Sequence, residues 1–213
     1  HAFHSLSDER RNLDVKERKI LIVEDEKAYV ELLEFQIKKA EIPFILLVVS
    51  DEAGFKKALV DFIPDIILSD YLMSGFDGMT AFKISQRVLP DVPVILVTAV
   101  MDDEQASDCV KQGISDYVLK NNLSRVGAAV RVALAKRDER LKWKNAEEER
   151  DVYFSLSPDM ICILGYDGYL KQVNPAFVRI SGFNTDDLMS RPFIDYVHAD
   201  DREVTRQKIG ALL

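Results

Sequence analysis

Cysteine is scarce in this sequence, and the two cysteines present form no recognisable pair. Cys109 and Cys162 lie far apart along the chain. This separation does not match the short spacing of a metal-binding motif. Thiols stay reduced in the cytosol, whereas disulfides accumulate in oxidising compartments. The cysteine usage therefore fits reduced thiols and predicts a cytoplasmic protein.

Long apolar runs and an excess of basic charge are also missing. No apolar run approaches the roughly 20 residues that a membrane-spanning helix needs, and no signal peptide opens the chain, so we expect no membrane partner. Lys and Arg number 28 against 36 Asp and Glu, which gives a net charge of -8. This balance predicts no nucleic-acid partner, because neutralising phosphates requires a basic face.

Several functional motifs are absent as well. The sequence has no glycine-rich loop of the kind that binds nucleotides in dehydrogenases and P-loop proteins. It shows no pair of DNA-reading helices, no kinase ATP site and no cyclase motif, so no separate catalytic domain is visible. Residues 1–15 are polar and lack periodicity, and we expect them to form a flexible leader.

A short apolar stretch at residues 66–70 ends in an aspartate, Asp70. Its composition is typical of a strand that is buried on both faces of a parallel sheet. Ligands bind at the carboxyl ends of the strands in open α/β sheets, so Asp70 is a candidate functional group. An aspartate after a strand is more often a turn former or a helix cap, and on the strand alone this alternative stays open.

Strand and helix patterns alternate five times in the first part of the chain. The predicted strands are residues 20–23, 44–49, 66–70, 94–97 and 117–119. Amphipathic helical patterns lie between them, which is typical of a parallel sheet with helices on both faces. We predict a doubly wound, flavodoxin-like α/β domain over residues 16–135, with a five-stranded parallel sheet in the order 2-1-3-4-5.

The last helix of this domain continues beyond it. No proline occurs from residue 124 to 150, and at ~1.5 Å per residue this segment forms a rod of roughly 40 Å. Its first half has apolar residues at helical spacing, whereas residues 136–151 are nearly all charged, with Leu141 and Trp143 as exceptions. A solvated connector and a dimeric coiled coil both fit this pattern, so a homodimer through residues 124–150 is one of two open interpretations.

Residues 151–213 follow a different pattern. Two short strand patterns, 160–164 and 170–173, flank the turn residues 166–169, which predicts a hairpin. Asn174 and Pro175 then open a short helix. Two strands and short helices in about 63 residues make only a small core. We predict a partial α+β unit after the long helical linker.

Chemically distinctive residues end four of the five predicted strands. In strand order they are Glu24 with Asp25, Asp70, Thr98 and Lys120. In the predicted strand order these ends meet at one edge of the sheet. Crowded carboxylates repel one another unless a cation joins them, and hard oxygen ligands suit Mg²⁺. Such a site accepts a phosphoryl group, with Asp70 as nucleophile and Lys120 and Thr98 binding its oxygens.

Over residues 19–136 this set resembles the receiver domain of two-component response regulators. The resemblance rests on Glu24-Asp25, on Asp70 with Met73 and Asp77-Gly78, on Val97-Thr98-Ala99 and on residues 116–120. It implies that Asp70 is the phosphoacceptor for a histidine kinase or phosphotransfer protein. It also implies that Mg²⁺ is bound by Glu24, Asp25, Asp70 and the backbone carbonyl of Leu72. Thr98 and Lys120 would bind the phosphoryl group, and Tyr117 would turn inward with it.

Two positions depart from the family pattern. Ser74 and Asn121 stand where the family commonly has proline. A non-proline cis peptide costs about 2.5–4 kcal/mol, which argues against the cis bond often found after the site lysine. Neither departure removes a chemical group from the site.

Residues 151–213 resemble the N-terminal half of a PAS sensor domain. The resemblance rests on Pro158-Asp159-Met160, Asp167-Gly168, residues 173–177, Ser181-Gly182-Phe183 and residues 197–201. The three later strands of the family, which usually line its ligand pocket, are missing from this match. We therefore expect an incomplete domain without a bound cofactor, and we interpret His198 as a turn residue.

The leading interpretation is a phosphoacceptor signalling module that relays a conformational change through the linker helix. One alternative is an aspartyl-phosphate phosphatase or phosphotransferase, but such enzymes commonly have a second aspartate where Leu72 stands. The other is a receiver scaffold that is not phosphorylated. Leu72 and Val100 each lie two residues past a site residue and have no group that orients a water by hydrogen bonding. We therefore predict slow loss of the phosphoryl group.

Overall fold

A computed structural model describes residues 17–73, 75–99 and 103–210 of the chain. The leader predicted for residues 1–15, together with Ser74 and Val100, lies outside these residues. The chain divides into two units, His1–Leu141 and Lys142–Leu213. Within the described residues, no helix combines the length and the apolar character that crossing a membrane requires.

The first unit is built on a five-stranded sheet. Its strands are β1 (Arg18–Val23), β2 (Phe44–Val49), β3 (Ile66–Asp70), β4 (Val94–Thr98) and β5 (Asp116–Leu119). Their order is β2-β1-β3-β4-β5, and every neighbouring pair is parallel. The predicted order is therefore confirmed. β3 and β4 lie inside the sheet and are buried along their whole length, which explains their continuous apolar composition.

Helices cover both faces of this sheet. They are α1 (Lys27–Lys39), α2 (Glu52–Asp61), α3 (Gly78–Val88), α4 (Asp103–Lys111) and α5 (Val126–Leu156), with a 3₁₀ helix at Lys120–Arg125. α1 and α5 share one core with Ile20 and Ile22 of β1. α2, α3 and α4 share the other core with Leu21 and Val23. Successive residues of β1 thus enter opposite cores, as the period-two geometry of a strand requires.

Side-chain caps define where two of these helices begin. Asp51 Oδ1 accepts a hydrogen bond from the Gly54 amide at 2.7 Å, and Asp77 Oδ1 accepts one from the Thr80 amide at 2.7 Å. Each bond satisfies an amide that the first helical turn leaves unpaired. The Asp77 cap starts α3 directly after the loop that follows β3.

α5 is longer than the sequence pattern predicts at its carboxyl end. Residues 120–125 form the 3₁₀ helix, so α5 begins at Val126, and it continues to Leu156. It ends before Ser157 and Pro158, because a residue that precedes proline is disfavoured in helical conformation. Three ion pairs connect one of its turns to the starts of β1, β3 and β4: Asp138–Arg18, Arg137–Asp65 and Arg140–Asp91.

The second unit has a small antiparallel sheet. Its elements after α5 are β6 (Cys162–Leu164), β7 (Leu170–Val173), α6 (Pro175–Ser181), α7 (Thr185–Ser190) and α8 (Arg202–Gly210), with 3₁₀ helices at Phe193–Tyr196 and Ala199–Asp201. Its core is formed by Leu170, Phe177 and Leu188. Asn174 caps α6 as predicted, and its side chain also bonds the backbone before β6. The predicted partial α+β unit is therefore confirmed.

Candidate functional site

Strand register brings the predicted site residues to one edge of the first sheet. Glu24 and Asp70 lie level with each other at the ends of β1 and β3. Thr98 ends β4 one residue beyond the position that pairs with Asp70, and Lys120 follows β5 directly. Because these strands are parallel, their carboxyl ends all lie at this edge.

Asp70 is buried at the end of β3, and both of its carboxylate oxygens have partners. Oδ1 accepts a hydrogen bond from the Leu72 amide at 3.2 Å, and Oδ2 accepts one from Lys120 Nζ at 2.8 Å. The Tyr71 amide donates to the Val97 carbonyl at 2.8 Å, which keeps the chain in register with β4 just past the aspartate. The carboxylate is therefore held in a defined direction at the edge of the sheet.

Glu24 and Asp25 place two further carboxylates beside Asp70. One oxygen from each of the three groups lies within 4.8 Å of the others. Glu24 is buried, whereas Asp25 is exposed to solvent. Burial raises the pKa of Glu24 above its ordinary value, although the Lys120 ammonium and the Glu26 amide offset part of this effect. The cluster thus combines a buried and an exposed side.

The donor set fits a small divalent cation. Glu24 Oε2 is buried, and the Lys120 ammonium, 2.9 Å away, pairs with it. Three carboxylates this close together repel one another, and the single Lys120 charge offsets only part of that repulsion, so a bound cation would stabilise the cluster. Mg²⁺ prefers hard oxygen ligands and keeps some of its water, for which the exposed Asp25 leaves room. The residues present therefore fit the predicted magnesium site.

Lys120 lies between the two buried carboxylates. Its side chain is 7% exposed, and Nζ is 2.8 Å from Asp70 Oδ2 and 2.9 Å from Glu24 Oε2. Burial acts to lower the pKa of Lys120, but the attraction of both carboxylates outweighs it and holds the pKa above its ordinary value. The lysine is thus kept charged, and it offsets part of the negative charge at this edge.

The other predicted residues surround this centre in different ways. Thr98 is fully buried at the end of β4. Tyr117 is half-buried and packs against the core that α2, α3 and α4 share. Leu72 is 68% exposed, and its amide bonds Asp70. The roles of the Leu72 carbonyl and of Tyr117 as a switch stay predictions.

α3 approaches the site through Gly78. A Cβ on this residue would lie 2.6 Å from the Asp70 carbonyl oxygen and 2.8 Å from a Leu96 methyl carbon. The Gly78 amide donates to the Tyr71 carbonyl at 3.2 Å. Because these neighbours are backbone and a buried side chain, glycine is required for α3 to start so close to the end of β3.

Comparison with known families agrees with this geometry. A model of the response regulator receiver domain matches residues 20–131, which is more than half of the chain. The chain belongs to the response regulator receiver family. A model of the PAS fold matches residues 148–212. The predicted architecture, a receiver domain followed by a PAS-type unit, is confirmed.

The similar curated proteins are regulators. The transcriptional regulatory protein LiaR of Bacillus subtilis (strain 168) is 31% identical over 117 residues, which cover 54% of this chain and 55% of LiaR. The response regulator protein VraR of Staphylococcus aureus is 28% identical over 118 residues, covering 53% and 54%. The DNA-binding transcriptional regulator NtrC of Proteus hauseri is 35% identical over 92 residues, covering 43% and 20%. The receiver chain thus spans about half or less of the length of these relatives.

Solved receiver domains share the fold of the first unit. The signal receiver domain of an HD domain-containing protein from Pseudomonas fluorescens Pf-5 matches with a TM-score of 0.52 and 21% identity, over 58% of this chain and 99% of that domain. The signal receiver domain of a LuxO repressor protein from Vibrio parahaemolyticus matches with a TM-score of 0.54 and 19% identity, over 59% and 95%. At these identities the likeness shows the receiver fold.

Two contacts of the predicted residues Lys120 and Tyr117, or of their neighbours, were not predicted from the sequence. The Tyr29 ring centroid lies 3.8 Å from Lys120 Nζ. Arg125 pairs with both carboxylate oxygens of Asp116, at 2.8 and 2.7 Å, and donates to the Tyr117 carbonyl. The position of Tyr29 in the first turn of α1, just after the acidic pair, was an available signal. Arg125 gave none, because the 3₁₀ helix before α5 determines its direction.

Proposed function

We propose that this protein is a phosphoacceptor module of a two-component system. In this proposal Asp70 receives a phosphoryl group from the histidine of a partner kinase or phosphotransfer protein. The observation that carries the proposal is the cluster of Glu24, Asp25 and Asp70 oxygens within 4.8 Å, with the Lys120 ammonium beside it. Membership of the receiver family and the regulators among its relatives support the same reaction.

The proposed chemical step is transfer to one oxygen of the Asp70 carboxylate. That oxygen attacks phosphorus while the bond from phosphorus to the donor histidine nitrogen breaks, and the nitrogen keeps the electron pair. The products are an acyl phosphate on Asp70 and a free histidine on the partner. The Leu72 amide and Lys120 orient the carboxylate before transfer, because each bonds one of its oxygens.

Positive charge is needed for a phosphoryl group to approach three carboxylates. Glu24, Asp25, Asp70 and the Leu72 carbonyl would hold Mg²⁺. A bound Mg²⁺ supplies charge that offsets the negative charge of the phosphoryl oxygens. Lys120 brings a second positive charge to the same edge of the sheet, and Thr98 a hydroxyl, and we assign both to binding the phosphoryl oxygens.

The proposed phosphorylated state is long-lived. Leu72 is largely exposed two residues after Asp70, and its aliphatic side chain has no group that orients a water molecule. We expect the half-life of the phosphoryl group, followed by intact mass after removal of the donor, to exceed seconds at neutral pH. Loss within seconds would contradict this part of the proposal.

The proposed output is a change relayed through α5. Lys120 begins the 3₁₀ helix that leads into α5, so a shift of the site lysine reaches the start of that helix over six residues. Arg125, the last of these residues, is held to β5 by Asp116. A homodimer through residues 124–150 stays a prediction, supported by the exposed apolar side chain of Trp143 in that segment.

The test of the proposed function is the intact mass after incubation with Mg²⁺ and acetyl phosphate. We expect one phosphoryl adduct on the wild-type chain and none on Asp70→Asn or in the presence of a chelator. Asp77→Asn is a matched control: it removes a carboxylate from the same loop, and asparagine still caps α3. This variant should be phosphorylated normally.

Two alternatives remain as outcomes of that test. The phosphatase alternative is not favoured, since the relatives are response regulators and Leu72 stands at the position of the second aspartate. The unphosphorylated scaffold would be indicated if neither acetyl phosphate nor a panel of phosphorylated kinases produced an adduct on a chain that binds Mg²⁺. That result would contradict the proposed function.

A further inference from the structure

The Lys120 ammonium has an aromatic neighbour in addition to the two carboxylates. The ring centroid of Tyr29 lies 3.8 Å from Nζ, well within the roughly 6 Å over which a cation and a ring face attract each other. The lysine side chain is 7% exposed, so water screens this attraction only weakly. Cation–π contacts are stronger when the cation is desolvated. The ring is therefore an energetically significant partner of the ammonium.

Tyr29 is anchored by contacts with residues other than the three clustered carboxylates. Its amide donates to the Glu26 carbonyl at 3.0 Å in the first turn of α1. Its side chain is half-buried and packs against the core that α1 and α5 share. The ring thus packs against the core of the first unit, and its face is directed at the Lys120 ammonium.

The two carboxylates that hold Lys120 also have other roles in the proposed function. Asp70 is the proposed acceptor, and both Asp70 and Glu24 are proposed ligands of the metal. Once they bind a metal or a phosphoryl group, their negative charge no longer acts on Lys120 alone, and Lys120 is held less firmly. A lysine on a four-carbon stem then gains freedom, which opposes a fixed contact with the phosphoryl oxygens. The Tyr29 ring takes part in neither interaction.

We propose that Tyr29 is a positioning residue for phosphoryl transfer, whose ring face keeps the Lys120 ammonium at the acceptor site while the carboxylates are engaged. This inference rests on the proposed function of Asp70. In this proposal the ring face positions Lys120, and the phenolic hydroxyl makes no contribution to the rate of transfer. A charge that is held in place before the reaction lowers the barrier because it needs no rearrangement during transfer.

The first test is the rate of adduct formation with acetyl phosphate and Mg²⁺ for Tyr29→Phe and Tyr29→Leu. The phenylalanine variant keeps the ring face, and we expect its rate to stay within about twofold of wild type. The leucine variant should be about tenfold slower, in keeping with the loss of a partly desolvated cation–π contact. Phe35→Leu is a matched control, because it removes an exposed ring from the same helix, and its rate should be unchanged.

A second series separates the electrostatic contribution from packing. Phenylalanines with increasing numbers of ring fluorines, incorporated at position 29, withdraw electron density from the ring face with little change in size. We expect the transfer rate to fall stepwise with fluorination. A rate that is the same across this series, or a leucine variant as fast as wild type, would overturn the proposal. Equal slowing of Tyr29→Phe and Tyr29→Leu would assign the effect to the hydroxyl and would overturn it too.

A spectroscopic test does not depend on phosphorylation. Lys120 methylene protons beside a ring face should be shifted upfield in a proton–carbon NMR spectrum, with the signal assigned through Lys120→Met. The shift should persist in Tyr29→Phe and disappear in Tyr29→Leu. If wild type accepts no phosphoryl group, the proposed function fails, and the upfield signal still decides whether Tyr29 holds Lys120. Its absence from wild type would overturn the inference whatever the fate of Asp70.

Discussion

The two units of this chain differ greatly in how much apolar surface they bury. Among the described residues, 29 buried hydrophobic residues lie in the unit His1–Leu141 and four in the unit Lys142–Leu213. The first unit has a core on each face of its sheet, whereas the second has one small core. Because apolar burial is the main favourable contribution to folding, we expect the first unit to be much more stable.

This difference explains why the charged site lies where it does. Burying Glu24, Asp70 and Lys120 costs free energy even when the charges are paired, and a large core can offset that cost. In the second unit the one buried polar residue among those described is Asn174, which is neutral. Its amide group bonds three backbone groups. A small core thus tolerates a satisfied amide, whereas buried ionic chemistry requires the larger one.

The largest expected effect comes from removing one core aromatic ring from each unit. Phe55→Ala and Phe177→Ala each should cost about 3–5 kcal/mol. Phe55 contacts Phe76, with ring centroids 5.3 Å apart, in a core with many other members, so the first unit should stay folded. Phe177 is one of the three buried residues that form the core of the second unit, so Phe177→Ala should unfold that unit. Hydrogen exchange resolved by peptide measures both outcomes in one chain.

Exposed residues give the matched controls for this comparison. Val60→Ala in the first unit and Ile180→Ala in the second remove side chains that are mostly exposed. Each should change the free energy of unfolding by less than about 0.5 kcal/mol. Equal loss of exchange protection in both units on removal of Phe55 and Phe177 would contradict the proposed difference in stability.

The next effect concerns the turn of α5 whose side chains form ion pairs with residues at the starts of the strands. Arg137 and Asp65 form an ion pair whose side chains are 13% and 9% exposed, whereas the Arg140 and Asp91 side chains are 56% and 30% exposed. Arg137→Met should cost about 3 kcal/mol, because it removes the cation that pairs with the buried Asp65 carboxylate, whose other oxygen accepts from the Lys19 amide. Arg140→Met should cost about 0–1 kcal/mol. Urea denaturation of the first unit measures both, and equal costs would show that burial does not decide the difference.

A smaller effect is expected at the helix caps. Asn174→Ala removes the side-chain hydrogen bonds to three backbone groups, those of Asp159, Ile161 and Phe177, so it should cost about 2–3 kcal/mol. Asp77→Ala removes a single exposed cap bond in the first unit and should cost about 1 kcal/mol. Thermal unfolding monitored by hydrogen exchange should show that the second unit unfolds at a lower temperature in Asn174→Ala than in wild type. A larger cost for Asp77→Ala would reverse the comparison.

The smallest effect is a difference in thiol reactivity, since each unit has one cysteine. Cys109 is buried against Met79, and Cys162 is half-buried in the small core. Burial raises the pKa of both thiols. Because the thiolate is the reactive form, the rate of alkylation by iodoacetamide should increase with pH. For both cysteines this increase should occur at a higher pH than for a free thiol. We expect Cys162 to react about tenfold faster at any pH, because its unit opens more often.

Peptide mapping by mass spectrometry measures both thiols in the same sample. In 6 M urea, where both units are unfolded, the two rates should become similar. Faster reaction of Cys109 in the native chain would contradict the difference in local opening.

Local patterns were sufficient to predict the sheet and the core of the site. The uninterrupted apolar strands require burial on both faces, and parallel strands bring their carboxyl ends to one edge. This is why Glu24, Asp25, Asp70, Thr98 and Lys120 could be placed together without coordinates. The start of α6 at Asn174 could be predicted for a similar reason, since a cap acts on amides two or three residues away.

The sequence by itself therefore determined the fold of the first unit, the partial α+β character of the second and which chemical groups lie at the strand ends. Only the tertiary structure decided how Lys120 is held, because the ring of Tyr29 and the carboxylate of Glu24 come from other elements of the chain. It also decided that Arg137 pairs with Asp65, 72 residues away in sequence. Such contacts depend on how helices pack and which rotamers the packing allows, and no local periodicity encodes either.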